Sequence, residues 1–322
     1  MESEEFTLVR DMVRTFATRH AVASADDITP KSRATAQQAL DALGLAELRR
    51  TTPPAATAQE CALLAEEHGR LPLTTSLLGT VLLAPELLRL LGTDQDGTRL
   101  TVALAPDLRL PGPQQPADLR AWDCDGAEAA LCADAEGTVT RAELGSPAPT
   151  ADLLRSTRKA SAVGEPLGRL ATQDRQRWQA YALVVVASEL VGAARSFVES
   201  SVSYARERRQ YGRRIGSFQA VQHLLADATV LVEACTSATR YAAWCLDHEP
   251  PDRALAAACA AKAEVNTSAV EAVYAGMQVF GGIAQTWEHP AHLYLRRVLV
   301  GATVLATTVD LLPALAAPEA TR

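Results

Sequence analysis

The chain has 322 residues, 48 % of them hydrophobic and only 5 % aromatic, and a formal net charge of −7. That length allows two or three domains around a sizeable aliphatic core, and the acidic balance argues against nucleic acid as a partner. The six cysteines (Cys61, Cys124, Cys132, Cys235, Cys245 and Cys259) form no CxxC pair and no metal spacing, so they read as reduced thiols of a cytoplasmic protein.

Residues 1–98 read as a helical domain. The start, "MESEEFTLVRDMV", is acidic and shows no signal-peptide pattern. Phe6, Val9, Val13 and Phe16 recur at helical spacing, and "ATAQQALDALGLAEL" is a second amphipathic stretch. "TAQECALLAEEHGR" is a third, with Thr57 as N-cap and Glu60 three residues on. "PLTTSLLGTVLLAPELLRLLGT" is apolar enough to be buried.

Residues 99–172 change character. Pro111, Gly112, Pro113, Pro116, Gly126 and Gly137 punctuate three short candidate strands, "LTVALA", "AEAALCAD" and "GTVTRAEL". A small, shortened β segment is expected here.

Residues 173–322 read as four long helices over about 174–207, 217–247, 252–285 and 290–315, broken at Tyr211-Gly212, at Glu249-Pro250-Pro251, and from Gly281-Gly282 to Pro290. Helices of ~30 residues are ~45 Å long, and short loops make them an antiparallel four-helix bundle. Their broad apolar faces point to oligomerisation. The most apolar run, "YALVVVASELVGAA", is too short to span a bilayer and contains Glu189, so no membrane association is expected.

Two stretches carry chemistry. In "RERRQYGRRIGSFQ", Arg206, Arg208, Arg209, Arg213 and Arg214 crowd a Tyr-Gly break. Such a cluster is either a solvated helix end or a grip on phosphate, with guanidinium and the next helix N-terminus acting together. Gln219 opens that next helix. In "MQVFGGIAQTWEHPAHLYLRR", Gly281-Gly282 is either a helix cap or a place where another group approaches bare backbone.

Together the two stretches closely resemble the C-terminal bundle of the acyl-CoA dehydrogenase family. The family pattern Y-x3-R-x2-[FY]-G followed by a helix-opening Gln falls on Tyr204, Arg208, Tyr211, Gly212 and Gln219. Its second part, Q-x2-GG-x5-E-x-P-x5-R, falls on Gln278, Gly281, Gly282, Glu288, Pro290 and Arg296. The match runs over about 178–312, with looser N-terminal support from "ALDALGLAEL" and "LLAEEHGRLPL". The resemblance implies an N-terminal helical domain, a middle β-domain and a C-terminal four-helix bundle. It implies FAD as cofactor, with Arg208 at the pyrophosphate, Gln219 on the adenosine half and Tyr211 among the cofactor-binding residues. Gln278, Gly281, Gly282 and Thr307 would line the same dinucleotide. In the family these groups reach a flavin held mainly by the neighbouring subunit.

The chain also departs from the pattern. The reaction needs a carboxylate base, and the family's two base positions fall on Leu305 and Ala182. Neither side chain takes a proton. The strand motif that meets the flavin ring, T-E-P-x-A-G-S-D in the family, reads "VALAPDLRLPG" here. Glu189, inside an apolar run, is the strongest substitute acid; an interhelical ion pair is the other reading of it. Asp310 is off the face of the lost base, and His289 and His292 lack the company a metal site needs.

The resemblance therefore implies a base-lacking subunit of a heteromeric acyl-CoA dehydrogenase. It would complete the FAD site of a full-length partner that oxidises an acyl-CoA, such as a steroid side-chain or other bulky thioester, at its α,β-bond. Two alternatives stay open: a homo-oligomeric enzyme with Glu189 as displaced base, and a non-redox descendant that binds acyl-CoA or protein.

Overall fold

The computed structural model describes residues 4–93, 97–112 and 118–316; Pro113, Pro116 and the Phe6 side chain lie outside the described residues. Four helices open the chain: α1 (Glu4–His20), α2 (Pro30–Asp41), α3 (Ala58–Gly69) and α4 (Ala84–Leu91), the last entered through a π-helical turn at Leu78–Leu83. Each start has a local cause. Pro30 sits in the first turn of α2 behind the Thr29 N-cap. At α3 the Thr57 hydroxyl accepts from the Glu60 amide at 3.1 Å, and the Glu60 carboxylate accepts from the Thr57 amide at 2.8 Å. Asp247, from the far end of the chain, accepts from the next two amides, Ala58 and Gln59.

The middle segment is a closed barrel. Its strands are β1 (Leu100–Leu104), β2 (Leu119–Trp122), β3 (Ala129–Ala133), β4 (Thr138–Pro147), β5 (Thr157–Ala162) and β6 (Gly168–Arg169). The order is β3-β1-β2-β5-β4-β6, and β3 pairs again with β4 to close the ring. Only β1 and β3 are parallel. Side chains alternate in and out along each strand. The inward set, Ala103, Leu119, Ala121, Ala130, Cys132, Ala142 and Ala160, is small apart from Leu119, which suits a narrow barrel. The outward Leu100, Val102, Leu104 and Leu131 join the helical core. The three expected strands are β1, β3 and β4. Sequence reading missed β2, β5 and β6: β2 and β6 are short, and β5, "TRKASA", is too polar to stand out.

The bundle is formed by α5 (Thr172–Glu207), α6 (Gln219–His248), α7 (Pro251–Phe280), α8 (Ala291–Gly301) and α9 (Thr308–Ala316). Two expectations need correction. The third helix stops at Phe280, because Gly281 turns the chain at φ 66°. The fourth helix is two helices. The chain leaves α8 after Gly301, Leu305 takes φ 70°, and Thr307 restarts a helix with its amide on Asp310 at 2.8 Å. The span estimate is corrected too. Within α5 an 18-residue window is long and apolar enough to cross a membrane, but 89 % of that window is buried inside the fold, as expected of a core helix.

Two glycines let the N-terminal helices approach the bundle closely. A Cβ on Gly192 of α5 would stand 1.9 Å from the Glu66 carbonyl oxygen, and one on Gly69 of α3 would stand 2.1 Å from that of Glu189. The α3 and α5 backbones therefore touch, and the side chains flanking this contact become neighbours.

Candidate functional site

Helix α5 ends at Glu207, and Arg208 leaves it in extended geometry with its amide on the Tyr204 carbonyl. A two-strand ribbon follows, Arg209–Gln210 (β7) against Arg213–Arg214 (β8). Tyr211 and Gly212 turn it with φ 52° and 77°, the positive pair that a two-residue hairpin requires. Arg213 stacks on Phe218, its guanidinium carbon 4.1 Å from the ring centroid. Arg206, Arg208, Arg209 and Arg214 are exposed and have no side-chain hydrogen bond or ion pair among the described residues. Tyr211 is 92 % exposed.

The second stretch ends at the same place. Ile215 packs with Val221 and Leu225 of α6 and Val279 of α7, and Tyr204 stacks against Phe280 with centroids 4.6 Å apart. Arg208, Tyr211, Gln219, Gln278, Gly281 and Gly282 thus share one end of the bundle, and all are exposed. A Cβ on Gly281 or Gly282 would meet nothing within 4 Å, so an incoming group can lie against bare backbone there. This open, cationic, glycine-faced end suits a pyrophosphate.

Thr307 is elsewhere. Asn266 donates to the Ala306 carbonyl at 3.2 Å and Thr308 to that of Ala263. This places Thr307 beside the middle of α7, roughly 27 Å from Gly281 along the helix at 1.5 Å per residue. Its hydroxyl donates to Asp310 at 2.6 Å, capping α9.

Leu305 and Ala182 are both buried. The Leu305 amide donates to the Leu108 carbonyl at 2.8 Å, and the Leu110 amide donates to the Leu305 carbonyl at 3.0 Å. Arg109, between them, reaches Asp310 at 3.3 Å. The two segments where sequence comparison sought the base and the ring-contacting motif are therefore bonded backbone to backbone. No ring fits between them.

Glu189 is 2 % exposed and stands at the α3–α5 contact. Its carboxylate accepts from His68 Nδ1 at 2.8 Å and from Arg155, and lies 3.7 Å from Arg297. Burial alone would push its pKa up. The guanidiniums of Arg155 and Arg297, with His68, overcome that and hold it well below the usual carboxylate range. Burial keeps His68 neutral, against the pull of Glu189, while its Nε2 meets the Thr75 hydroxyl at 2.9 Å. Arg155 also binds Asp123 at 2.6 Å, and Arg297 reaches Asp152 at 3.5 Å. This buried hub ties α3, the barrel, α5 and α8 together. The carboxylate serves as counter-ion to two buried guanidiniums.

Sequence reading missed His68, Arg155, Arg297 and Lys262. The available signal was a basic residue type on the buried side of a helix: His68, four residues after Leu64 in α3, and Lys262 in "ALAAACAAKAEV". Arg297 was overlooked beside Arg296, which the motif names; among the described residues the Arg296 side chain bonds only the Ala151 carbonyl, at 3.2 Å, and is partly exposed.

A barrel set between a helical cap and an antiparallel bundle, with a cationic corner on the bundle, is an acyl-CoA dehydrogenase architecture. The family model "Acyl-CoA dehydrogenase, C-terminal domain" matches residues 181–304. The acyl-CoA dehydrogenase IpdE2 of Mycolicibacterium smegmatis is 31 % identical over 255 residues, covering 76 % of this chain and 74 % of that protein. The chain belongs to the acyl-CoA dehydrogenase family. IpdE2 of Mycobacterium tuberculosis is 39 % identical over 132 residues, covering 41 % of this chain and 39 % of that protein. FadE34 of the same organism is 42 % identical over 126 residues, 38 % of this chain but only 17 % of its own length. Among solved structures, the Tcur3481-Tcur3483 steroid ACAD G363A variant superposes with a TM-score of 0.78 at 22 % identity, covering 97 % and 96 % of the two chains. The ChsE4-ChsE5 complex of M. tuberculosis gives 0.78 at 19 % identity, covering 99 % of each. PigA with FAD and proline gives 0.78 at 16 %, covering 98 % and 97 %. At these identities the likeness is one of fold.

Proposed function

We propose that this chain is the base-lacking subunit of a cytoplasmic, hetero-oligomeric, FAD-dependent acyl-CoA dehydrogenase. Its role is to complete the flavin site of a full-length partner that desaturates an acyl-CoA at the α,β-bond. The observation that carries this reading is the pairing of Leu305 with Leu108 and Leu110, set against the open arginine corner. One half of the family's flavin site is closed and the other is available.

When bound, FAD supplies the acceptor for the hydride leaving the β-carbon, and a carboxylate must take the α-proton. This chain's residues do neither. Arg208 and the ribbon behind it neutralise the pyrophosphate, Gln219 and Gln278 orient the dinucleotide, and Gly281-Gly282 let it lie close. The partner supplies the base. The steroid ACAD and the ChsE4-ChsE5 complex among the fold neighbours favour a bulky, steroid-derived acyl group.

The test is expression of this chain alone and with a full-length family member encoded beside it. Alone, it should purify without stoichiometric flavin. Together, the two should co-purify as a yellow complex that reduces its flavin with substrate. Stoichiometric FAD in the chain purified alone would defeat the proposal.

A further inference from the structure

A cleft away from the arginine corner runs between α2 and the open end of the barrel and measures about 710 Å³, against about 320 Å³ for the pocket beside Arg206. That volume lies in the range of small-molecule sites. Pro30 and Ala34 of α2 form one apolar wall, and Pro147 and Ala148 at the end of β4 form the other. At the rim Gly126 turns the chain at φ 73° directly beside the Arg99 guanidinium.

The charge on this lining runs against that of the whole chain. Arg33, Arg99, Arg155 and Arg158 line the cleft together with Asp41 and Asp125, in a protein of net charge −7. Three of the arginines are already neutralised. Arg99 binds Asp41 at 2.6 Å, Arg33 binds Asp125 at 3.1 Å, and Arg155 belongs to the Glu189 hub. Arg158 differs. Its Nε donates to the Gly145 carbonyl at 2.8 Å, and its two terminal nitrogens have no partner among the described residues. The guanidinium is held in place with its forked end unspent, the arrangement that receives an oxyanion. We propose that this cleft binds an amphiphilic anion, an apolar chain or ring body lying between α2 and β4 with one carboxylate or phosphate on Arg158. Arg155 lies on the same lining and holds Glu189 and Asp123, so an occupant would stiffen the joint between barrel and bundle. The proposal does not depend on the flavin reading.

Calorimetric titration of the full chain tests it with three probes of similar chain length: decanoate, decyl phosphate and decyltrimethylammonium. Saturable binding of decanoate or decyl phosphate is expected, with the tighter one identifying the head group, and none of the cation. Arg158→Gln should weaken the anion roughly tenfold or more, and Arg158→Lys should restore part of it. Ala34→Trp should fill the cleft and abolish binding. Lys159→Gln, on the opposite face of β5, should change nothing. Because a ligand of the native state raises Tm, the anion should lift the melting temperature of the wild type and not of Ala34→Trp. Equal binding of cation and anion, no binding of either anion, or isotherms unchanged by Arg158→Gln and Ala34→Trp would each overturn the proposal.

Discussion

Lys262 Nζ donates to the Gly301 carbonyl at 3.0 Å, pinning the C-terminal end of α8 to the middle of α7. The same ammonium donates to Asn266, whose amide holds the Ala306 carbonyl at 3.2 Å. These bonds fix the turn that presents Leu305 to Leu108. Lys262 has no carboxylate partner among the described residues, and burial pushes its pKa down to about 7. The Gly301 carbonyl at the C-terminal end of α8 and the Asn266 side chain offset part of the cost of burying it.

A pH signature follows from that burial. Between about pH 7 and the ordinary lysine value the unfolded chain binds a proton that the folded chain does not, so this residue makes stability rise with pH across that window. The buried thiols act the other way. Burial pushes Cys61, Cys132 and Cys235 up to about 12, so their unfolded forms ionise first as pH rises. The difference between wild type and Lys262→Met in urea melts at pH 7, 8.5 and 10 isolates the lysine. The wild type should gain on the variant as pH rises; a constant difference would mean the ammonium keeps its ordinary pKa.

The arginine corner predicts unequal effects. Removing a charge-assisted contact to a pyrophosphate costs on the order of 1.5–3 kcal/mol. Arg208→Ala should therefore release flavin from the complex while the bundle melts normally. Arg206→Ala should do much less, and so should Arg213→Ala, since that guanidinium is engaged with Phe218. Flavin retention after gel filtration reads this directly, and equal losses from all three would mark a diffuse cationic face.

Glycine gives a paired test. A Cβ at Gly192 would meet the Glu66 carbonyl oxygen at 1.9 Å and the Arg70 amide nitrogen at 3.2 Å, both backbone atoms that cannot swing away. Gly192→Ala should push α3 off α5 and cost about 2–3 kcal/mol in a urea melt. Gly282 has open space, so Gly282→Ala should stay within about 0.5 kcal/mol. In the complex the order inverts: Gly282→Ala, at the corner, should loosen flavin more than Gly192→Ala does.

Sequence reached the long-period elements and the corner because both are local. Helical spacing locates α5 to α7, and the Tyr-Gly and Gly-Gly breaks mark their ends. It did not reach β5, whose "TRKASA" shows no apolar alternation, nor the break after Gly301, where Leu305 carries none of the usual turn chemistry. The pairing of Leu305 with Leu108 joins segments far apart in the chain and leaves no periodic trace. The hub was half legible. A glutamate in an apolar run announces a buried charge, but its partners come from α3, the barrel and α8, and only the fold brings them together.

The last prediction concerns Glu189. Its carboxylate answers Arg155, Arg297 and His68 in the buried interior. Removing one member of a buried ion cluster leaves charge uncompensated and typically costs about 3–5 kcal/mol. Glu189→Gln should therefore lower the stability of the isolated chain by that order. It should also flatten the acid limb of the stability profile. A carboxylate held below its unfolded pKa contributes stability above that value, about 4.3, and loses it as pH falls toward the folded value. Wild type should lose stability below about pH 4 more steeply than Glu189→Gln. Turnover separates this structural role from catalysis. Per folded complex, Glu189→Gln should turn over substrate nearly as the wild type does, whereas the partner's own base variant should be inactive. General-base loss is worth typically 10²–10⁴-fold. A several-hundred-fold drop on Glu189→Gln, with flavin still bound and the melt unchanged, would make this residue the base and remove the need for a partner.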